Sequence, residues 1–370
     1  MSRLRYLAGV AFLASLGLAG VGWAPVAAPR WDLFGDARVR YEANTAIDDA
    51  PERHRGVLRL RAGATFDAND LFRVGARVVT GDPGDPRTAD VTIGEFGDDL
   101  ELSFDRAFVE MRLDHGLATA GKFANPFATT ELVWDADVNP AGAAGWVEPG
   151  RIGGFTPRLT GIFALLDERS RDSDGTMWGA QAGLRREWAG GVALEVAAAY
   201  WDYTIPTLAG ADDPGDTRGN YLTLDGSAYL SDFDLADLTA TLTLPGPSEA
   251  YPVRVVADIV KNLGAAVDED TGFQVEVRIG REWERRRFEL RAGYGQCETD
   301  AVLGAFSNDN LPLATNYRNH TLRAAYGVRD DTALSLTWYL YGRLHADPRH
   351  PDADPDELAS RVRLDLMVRF

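Results

Sequence analysis

The chain has 370 residues, with 38 Lys and Arg against 56 Asp and Glu, so its formal net charge is −18. Its single cysteine, Cys297, excludes an intrachain disulfide framework and a zinc site built on several thiolates. The acidic balance argues against a protein that coats nucleic acid, and an apolar content of 45% argues against disorder. The length allows two domains of about 150–200 residues or one large closed barrel.

The first 28 residues are typical of a secretory signal peptide. Arg3 and Arg5 precede an uncharged stretch over 6–22, and small residues up to Ala28 follow. A single transmembrane anchor is the alternative, but the stretch is short of the roughly 20 residues that a helix needs to cross a bilayer. No later segment has about 18 uninterrupted apolar residues. The exported chain is therefore expected to be soluble in the periplasm or a barrel in the outer membrane.

A period-two alternation of apolar and polar residues runs through the remaining chain. Within 334–341, leucine and tryptophan alternate with serine, threonine and tyrosine, and within 361–370 arginine and aspartate alternate with apolar residues. Successive side chains of a strand point to opposite faces, so each segment has one apolar and one polar wall. The apolar walls end in aromatic residues and the polar walls carry Arg and Glu. This pattern favours a membrane barrel over a soluble sandwich.

We therefore predict an all-β fold over 29–370, a transmembrane antiparallel β-barrel with about sixteen strands, short periplasmic turns and long extracellular loops. Both termini are expected on the periplasmic side. The predicted strands are 31–43, 55–67, 71–80, 102–114, 116–124, 141–149, 156–167, 175–187, 191–203, 228–244, 251–261, 272–283, 286–298, 317–328, 332–343 and 359–370. The predicted long links are 43–54, 81–101, 125–140, 204–226, 262–271, 299–316 and 344–358.

Five segments carry a resemblance to a known family. They are 35–42 (GDARVRYE), 81–83 (GDP), 105–109 (DRAFV), 121–127 (GKFANPF) and 134–140 (WDADVNP). Over about 31–150 the sequence resembles the putative porin family of Gram-negative outer membranes. The resemblance implies a passive, water-filled channel in the outer membrane. Phe370, an aromatic last residue on an alternating strand, looks like the signal that is read by the barrel assembly machinery.

The link at 125–140 follows the fifth strand. In the porins that this sequence resembles, this third loop folds inward and narrows the pore. The resemblance therefore implies a constriction loop, whose candidate residues are Glu131, Trp134, Asp135, Asp137 and Asn139. Trp134 either anchors the loop against the barrel wall or belongs to an aromatic girdle.

A row of arginines occupies lumen-facing positions of the first four predicted strands and of the last. We predict that it forms a basic wall facing the carboxylates of the loop, and such opposed charges filter ions by charge and size. The alternative is that these arginines pair with Glu42, Glu110, Glu289 and Asp365 on neighbouring strands. The wall consists of Arg38, Arg40, Arg59, Arg61, Arg73, Arg77, Arg106, Arg112, Arg361 and Arg363, with Arg369 at its end.

The predicted outer loops are acidic. They form either a negative vestibule, which attracts cations or shares divalent ions with lipopolysaccharide phosphates, or simply solvated loops. The acidic residues are Asp48, Asp49, Glu52, Asp82, Asp85, Asp90, Glu95, Asp98, Asp99, Asp212, Asp213, Asp216, Asp268, Glu269, Asp270, Asp352, Asp354, Asp356 and Glu357.

The leading hypothesis is a porin for passive diffusion of small hydrophilic solutes and ions. One alternative is a solute-selective channel for anionic substrates, and another is a structural or loop-presenting barrel without transport. The chain has no G-x-S-x-G turn, P-loop or H-E-x-x-H helix, so we expect no enzyme, catalytic site, metal site or cofactor. The expected partners are outer-membrane lipids, lipopolysaccharide, the barrel assembly machinery and small solutes or ions. A homotrimer is one candidate assembly.

Overall fold

The computed structural model describes residues 30–45, 51–82, 84–94, 100–170, 172–211, 213–349, 351, 354 and 356–370. The predicted signal peptide, residues 1–28, lies outside these ranges. The described residues form the strands β1 (Arg30–Asn44), β2 (Arg53–Asp67), β3 (Phe72–Thr80), β4 (Val91–Ile93), β5 (Leu102–Leu113), β6 (Gly116–Lys122), β7 (Ala141–Val147), β8 (Thr156–Asp167), β9 (Gly175–Glu187), β10 (Ala193–Thr204), β11 (Phe233–Leu244), β12 (Val253–Asn262), β13 (Thr271–Gly280), β14 (Phe288–Cys297), β15 (Tyr317–Arg329), β16 (Thr332–Arg343) and β17 (Ala359–Arg369). In this part of the chain, no helix is both long and apolar enough to cross a membrane.

Sixteen of these strands close into one antiparallel barrel. Each strand pairs with its neighbour in the chain, except that β3 pairs with β5, and β17 returns to pair with β1. The short β4 lies in the second loop and extends the edge of β2 through Gly56 and Ile93. The predicted all-β barrel with sixteen strands, short turns at one end and long loops at the other is thereby confirmed.

The two faces of the wall differ as the alternation predicts. On β16, Leu336 is 51% exposed, whereas its neighbours Ser335 and Thr337 are each 4% exposed. Leu364 on β17 is likewise exposed, and Arg363 beside it is buried. Apolar side chains therefore cover the outside of the barrel, and polar side chains fill its interior.

The predicted strand 228–244 is wrong in its first residues, because β11 begins at Phe233. Residues 228–232 belong to the preceding loop. There Tyr229 donates a hydrogen bond to the Pro214 carbonyl (2.7 Å), and Ser231 donates to Asp300 (2.6 Å). These long-range side-chain contacts outcompete strand pairing at this end, and they are not visible in an alternating pattern.

The last residue closes the barrel against the first strand. Phe370 and Gly35 exchange two backbone hydrogen bonds, of 2.9 and 3.0 Å. The Phe370 ring also covers Gly35, because a Cβ added to this glycine would lie 2.6 Å from the ring. An aromatic ring over a strand glycine fixes strand register.

Deleting Phe370 is expected to impair barrel assembly in the membrane while leaving export intact, because both backbone bonds and the ring contact with Gly35 are lost. The measurement is the amount of assembled barrel in outer-membrane fractions, read by heat-modifiable gel mobility. Phe370→Tyr is the control and should assemble normally. Normal assembly of the truncated chain would contradict the role of Phe370 as an assembly signal.

Candidate functional site

The third loop, L3 (residues 123–140), enters the barrel interior and crosses to the wall formed by β9–β12. The Gln181 side chain on β9 exchanges two hydrogen bonds with the backbone of Ala128, each of 2.8 Å. Thr130 donates a hydrogen bond to Asp258 on β12. Leu132 and Val133 are each 1% exposed. L3 is thus packed inside the lumen by both polar and apolar contacts.

An aromatic stack holds the tip of L3. Trp134 lies parallel to Trp201 on β10, with ring centroids 5.5 Å apart, and its other neighbour is Phe306 at 5.8 Å. The indole N–H of Trp134 donates to the Val138 carbonyl (3.0 Å), so the polar edge of the buried ring is satisfied. Of the two roles considered for Trp134, the structure places it as an anchor inside the barrel and excludes the aromatic girdle.

After the stack, L3 returns to the arginines. Asp137 accepts a hydrogen bond from Arg61 Nη1 (2.7 Å) and lies 3.7 Å from Arg59 Nη1. Asn139 accepts from Arg106 Nε (2.7 Å) and donates to the Asp137 carbonyl (2.7 Å). The carboxylate of L3 that faces the basic wall is therefore Asp137.

A second loop, L7 (residues 298–316), also folds into the barrel. Val302 and Leu303 are at most 1% exposed, and Phe306 is 3% exposed. The Asp135 backbone N–H donates to the Phe306 carbonyl (2.8 Å), which joins L7 directly to L3. The predicted long link 299–316 is this loop, but it is not polar throughout, because its apolar centre packs inside the barrel. The apolar stretch AVLGAF at 301–306 is the sequence signal that could have identified this loop.

L7 reaches the basic wall through one asparagine. Asn310 accepts hydrogen bonds of 2.7 Å from Arg363 Nη1 through its side chain and from Arg361 Nη1 through its carbonyl. From the extracellular side, Asn220 of the loop 205–232 donates to the carbonyls of L7 at Thr299 (2.8 Å) and Val302 (2.9 Å). L7 is therefore fixed both to the wall and to the loop above it.

The predicted wall arginines line one side of the lumen, and most are engaged by carboxylates. These ion pairs join Arg38 and Arg40 to Asp90, Arg40 to Asp365, Arg59 and Arg61 to Asp36 and Asp137, Arg77 to Asp105, and Arg361 and Arg363 to Glu42. Arg73 and Arg112 instead pair with Asp67 at the short-turn end, away from L3. The alternative, in which wall arginines pair with acidic residues of neighbouring strands, thus holds for Glu42 and Asp365. Glu289 instead pairs with Arg291 and Arg323, on another wall of the barrel.

Three loop carboxyl groups meet where L3 and L7 join. Asp135 accepts from the Asp137 backbone N–H (2.8 Å) and from the Asp309 backbone N–H (3.3 Å). Desolvation inside the barrel, reinforced by the nearby charge of Asp309, raises the pKa of Glu131 to about 7. Burial and the neighbouring Glu131 raise the pKa of Asp135, and burial also raises the pKa of Asp309. The junction is therefore most stable when these groups carry protons.

The junction of L3 and L7 is expected to loosen as pH rises through about 7. A raised carboxyl pKa in the folded state means that stability is fully present at acid pH and is lost as the group ionises. We expect single-channel current to become noisier, with more frequent large openings, between pH 5.5 and pH 8.5. The measurement is single-channel recording at both pH values. Glu131→Gln should remove most of the change, and an equal pH response in this variant would contradict the assignment.

Part of the expected acidic vestibule is neutralised by ion pairs in the described loops. The pairs are Asp85 with Arg87 and Arg218, Asp216 with the same two arginines, Asp270 with Lys261, and Asp356 with Arg318. Asp347, a loop acid outside the predicted set, pairs with Arg343 and Arg349. Asp90, expected at the mouth, lies instead against the basic wall. Seven of the predicted vestibule residues lie outside the described residues, namely Asp48, Asp49, Glu95, Asp98, Asp99, Asp212 and Asp352.

The sequence matches the model of the putative porin family over residues 39–217 and 219–370, nearly the whole barrel. The chain belongs to the putative porin family. This porin is an outer-membrane channel, and its family and fold are those of a non-enzymatic channel. No curated protein matches the chain.

Solved porins share the fold of this putative porin at low sequence identity. OprB of Pseudomonas putida has a TM-score of 0.58 and 12% identity, and the match covers 92% of this chain and 94% of that one. An anion-selective porin from Comamonas acidovorans has a TM-score of 0.52 and 13% identity, covering 93% and 100%. The trimer form of OmpT, an outer membrane protein of Vibrio cholerae, has a TM-score of 0.50 and 9% identity, covering 93% and 100%.

Proposed function

We propose that this porin passes small hydrophilic solutes and ions by passive diffusion, with a constriction formed by L3, L7 and the basic wall. The single observation that carries the proposal is that L3 is fixed to opposite sides of the lumen, through Trp134 to β10 and through Asp137 to Arg59 and Arg61. A loop held in this way sets a fixed narrow section, and the groups that line such a section decide which solutes pass.

We further propose that the narrow section favours anions. Around it, nine arginines face six carboxylates, an excess of three positive charges while Glu131, Asp135 and Asp309 carry protons. The arginines are Arg38, Arg40, Arg55, Arg59, Arg61, Arg77, Arg106, Arg361 and Arg363, and the carboxylates are Asp36, Glu42, Asp90, Asp105, Asp137 and Asp365. Confined charges in a low-dielectric frame are poorly screened, so a small excess acts on every permeating ion.

The deciding experiment is recording of the purified porin in a planar bilayer under a KCl gradient. A diffusion channel gives stepwise current that grows linearly with salt, and its reversal potential reports the preferred ion. A structural barrel gives no current, and two loops that fill the lumen are also compatible with this alternative. A solute-selective channel passes current that a specific solute blocks at low concentration.

The same proposal includes the export, membrane insertion and assembly of the porin. An N-terminal signal peptide would export the chain, and the barrel assembly machinery would insert it among outer-membrane lipids and lipopolysaccharide. The apolar outer face supports this placement. A homotrimer is the assembly that we propose, since OmpT of Vibrio cholerae, which shares the fold, has a trimer form. Crosslinking in native membranes tests it.

A further inference from the structure

A niche of about 260 Å³ lies beneath the root of L3, on the wall formed by β5–β8. Two of its lining residues, Pro126 and Arg158, also border a larger cavity of about 480 Å³, so the niche adjoins the lumen. This volume is below that of a pocket for a drug-sized ligand, and it suits a single small molecule. The polar and aromatic lining includes Arg106, Glu110, Thr119, Asn125, Trp146 and Arg158.

The two arginines of the niche differ from the rest of the basic wall. Among the described residues, neither Arg106 nor Arg158 has a carboxylate within 4.0 Å. Arg106 uses Nε to bind Asn139 (2.7 Å), and Arg158 stacks on the Trp146 ring with 4.2 Å to its centroid. A guanidinium on an aromatic face keeps its in-plane N–H groups free for an anion. The niche therefore holds positive charge that the protein does not neutralise by direct pairing.

Two further polar groups lack partners in this niche. Thr119 is 8% exposed, and its hydroxyl has no hydrogen-bond partner among the described residues. The side-chain nitrogen of Asn125 is also buried without a described partner. The orientation of this amide is fixed, because its oxygen accepts from the Phe127 backbone N–H (3.1 Å). Buried donors are costly to leave unpaired, so both groups are available to bind a polar occupant of the niche, either water or a solute.

We propose that the niche binds the carboxylate of a small polyhydroxylated acid, such as a sugar acid, during its passage. Arg106 and Arg158 hold the carboxylate, Thr119 and Asn125 donate to its oxygens, and Glu110 accepts from a ligand hydroxyl. Glu110 also disfavours an anion with a second negative charge. This inference rests on the proposed channel function, because it gives that channel a solute class.

The apolar lining supports a ring rather than an inorganic ion. Phe108 and Leu117 line the same niche as Trp146. Aromatic and aliphatic side chains cover the C–H faces of a compact organic molecule, whereas the few polar groups fix its orientation. Acetate would engage only the donors, and a neutral methyl glucoside would engage only the hydroxyl and apolar contacts.

The test is single-channel recording of the full porin in a planar bilayer at fixed KCl, with D-glucuronate as the probe. We expect saturable interruptions of the current by D-glucuronate, with a blocking constant at least about tenfold tighter than for acetate or methyl glucoside. Methyl glucoside lacks the charge-assisted contacts of the carboxylate, and acetate lacks the hydroxyl and apolar contacts of the ring. Current without any saturable block overturns the niche proposal and leaves the channel function standing. Absence of current overturns both.

Substitutions of the lining residues test whether the current block by D-glucuronate occurs in the niche. Arg158→Gln should weaken it about tenfold, since one charged hydrogen-bond donor is lost. Thr119→Val should weaken it about threefold without loss of folding, because the hydroxyl has no partner in the protein to lose. Arg254→Gln is the matched control, since it removes an arginine from the lumen-facing row of β12 away from the niche, and its block should equal that of the wild type. Equal block constants in all three variants would overturn the assignment, and weakening in the first two alone would support it.

Discussion

Removing residues 129–138 of L3 is expected to raise single-channel conductance about twofold or more, because the section that limits current then widens. This stretch contains Trp134 and Asp137, which fix the loop to opposite sides of the lumen. Larger neutral sugars should also pass, which liposome-swelling rates measure. The larger pore should show weaker discrimination between solutes of different size.

A second deletion, in L7, tests whether that loop also limits the current. L7 loses Trp134 as a stacking partner for Phe306 in the shortened porin, but it retains the hydrogen bonds of Asn310 and Asn220. Removing 301–309 of L7 as well should therefore raise conductance further than the L3 deletion does. If the L3 deletion left conductance unchanged while the double deletion raised it, L7 would be the limiting segment. No change in either would place both loops outside the conducting path.

A deletion at the short-turn end of the barrel is the matched control for these loop deletions. Shortening the turn 245–252 removes residues between β11 and β12 at the short-turn end, far along the strands from both loops. This variant should assemble and conduct as the wild type does. An increase here would show that altered barrel stability, rather than a wider constriction, raises the current.

The barrel could be predicted from the sequence because each strand carries its own local signal. The alternation along 332–343 reflects lipid on one face and water on the other, and β16 occupies the same residues, Thr332–Arg343. The two solvents act on every residue of a strand, so sixteen strands were identified within a few residues. Where side-chain contacts from distant loops decide the structure, as at Tyr229 and Ser231, the local signal failed.

The site was predictable only in part, for a related reason. The sequence identified the arginines and the L3 carboxylates as candidates, but it could not give their pairing, which depends on which strands and loops meet in the lumen. Asp90 is 50 residues from Arg40 in the chain and still pairs with it. Similarly, the polar flanks of L7 concealed its apolar centre. Residues that meet only after closure of the barrel leave no periodic pattern.

Replacing Arg59 and Arg61 together with glutamine is expected to shift ion selectivity toward cations. Both guanidinium groups hold Asp36 and Asp137, so the double variant removes two positive charges and leaves both carboxylates unpaired by these arginines. The positive excess around the narrow section would fall from three charges to one. The measurement is the reversal potential under a KCl gradient, in the wild type and the variant.

Salt concentration separates this effect from that of the loops at the mouth. Exposed charges are screened over a Debye length of roughly 8 Å at physiological salt and about 3 Å at 1 M, whereas charges inside the constriction are screened much less. Anion preference should therefore be strongest at high salt and should decrease at low salt. Loop acids that are already paired with arginines, such as Asp85 and Asp347, contribute less to this decrease than the unpaired ones.

Removing a negative charge from the same place is the control for the direction of the selectivity shift. Asp137→Asn removes one negative charge from the same ion-pair network, so it should shift the reversal potential toward anions while it loosens L3 at the same place. A looser L3 would by itself change conductance in the same direction in both variants. Only the changed charge shifts the ion selectivity of the two variants in opposite directions. Cation preference that grew with rising salt in the wild type would refute the assignment of these arginines to the narrow section. Shifts of the same sign in both variants would show that loop mobility, rather than charge, controls selectivity.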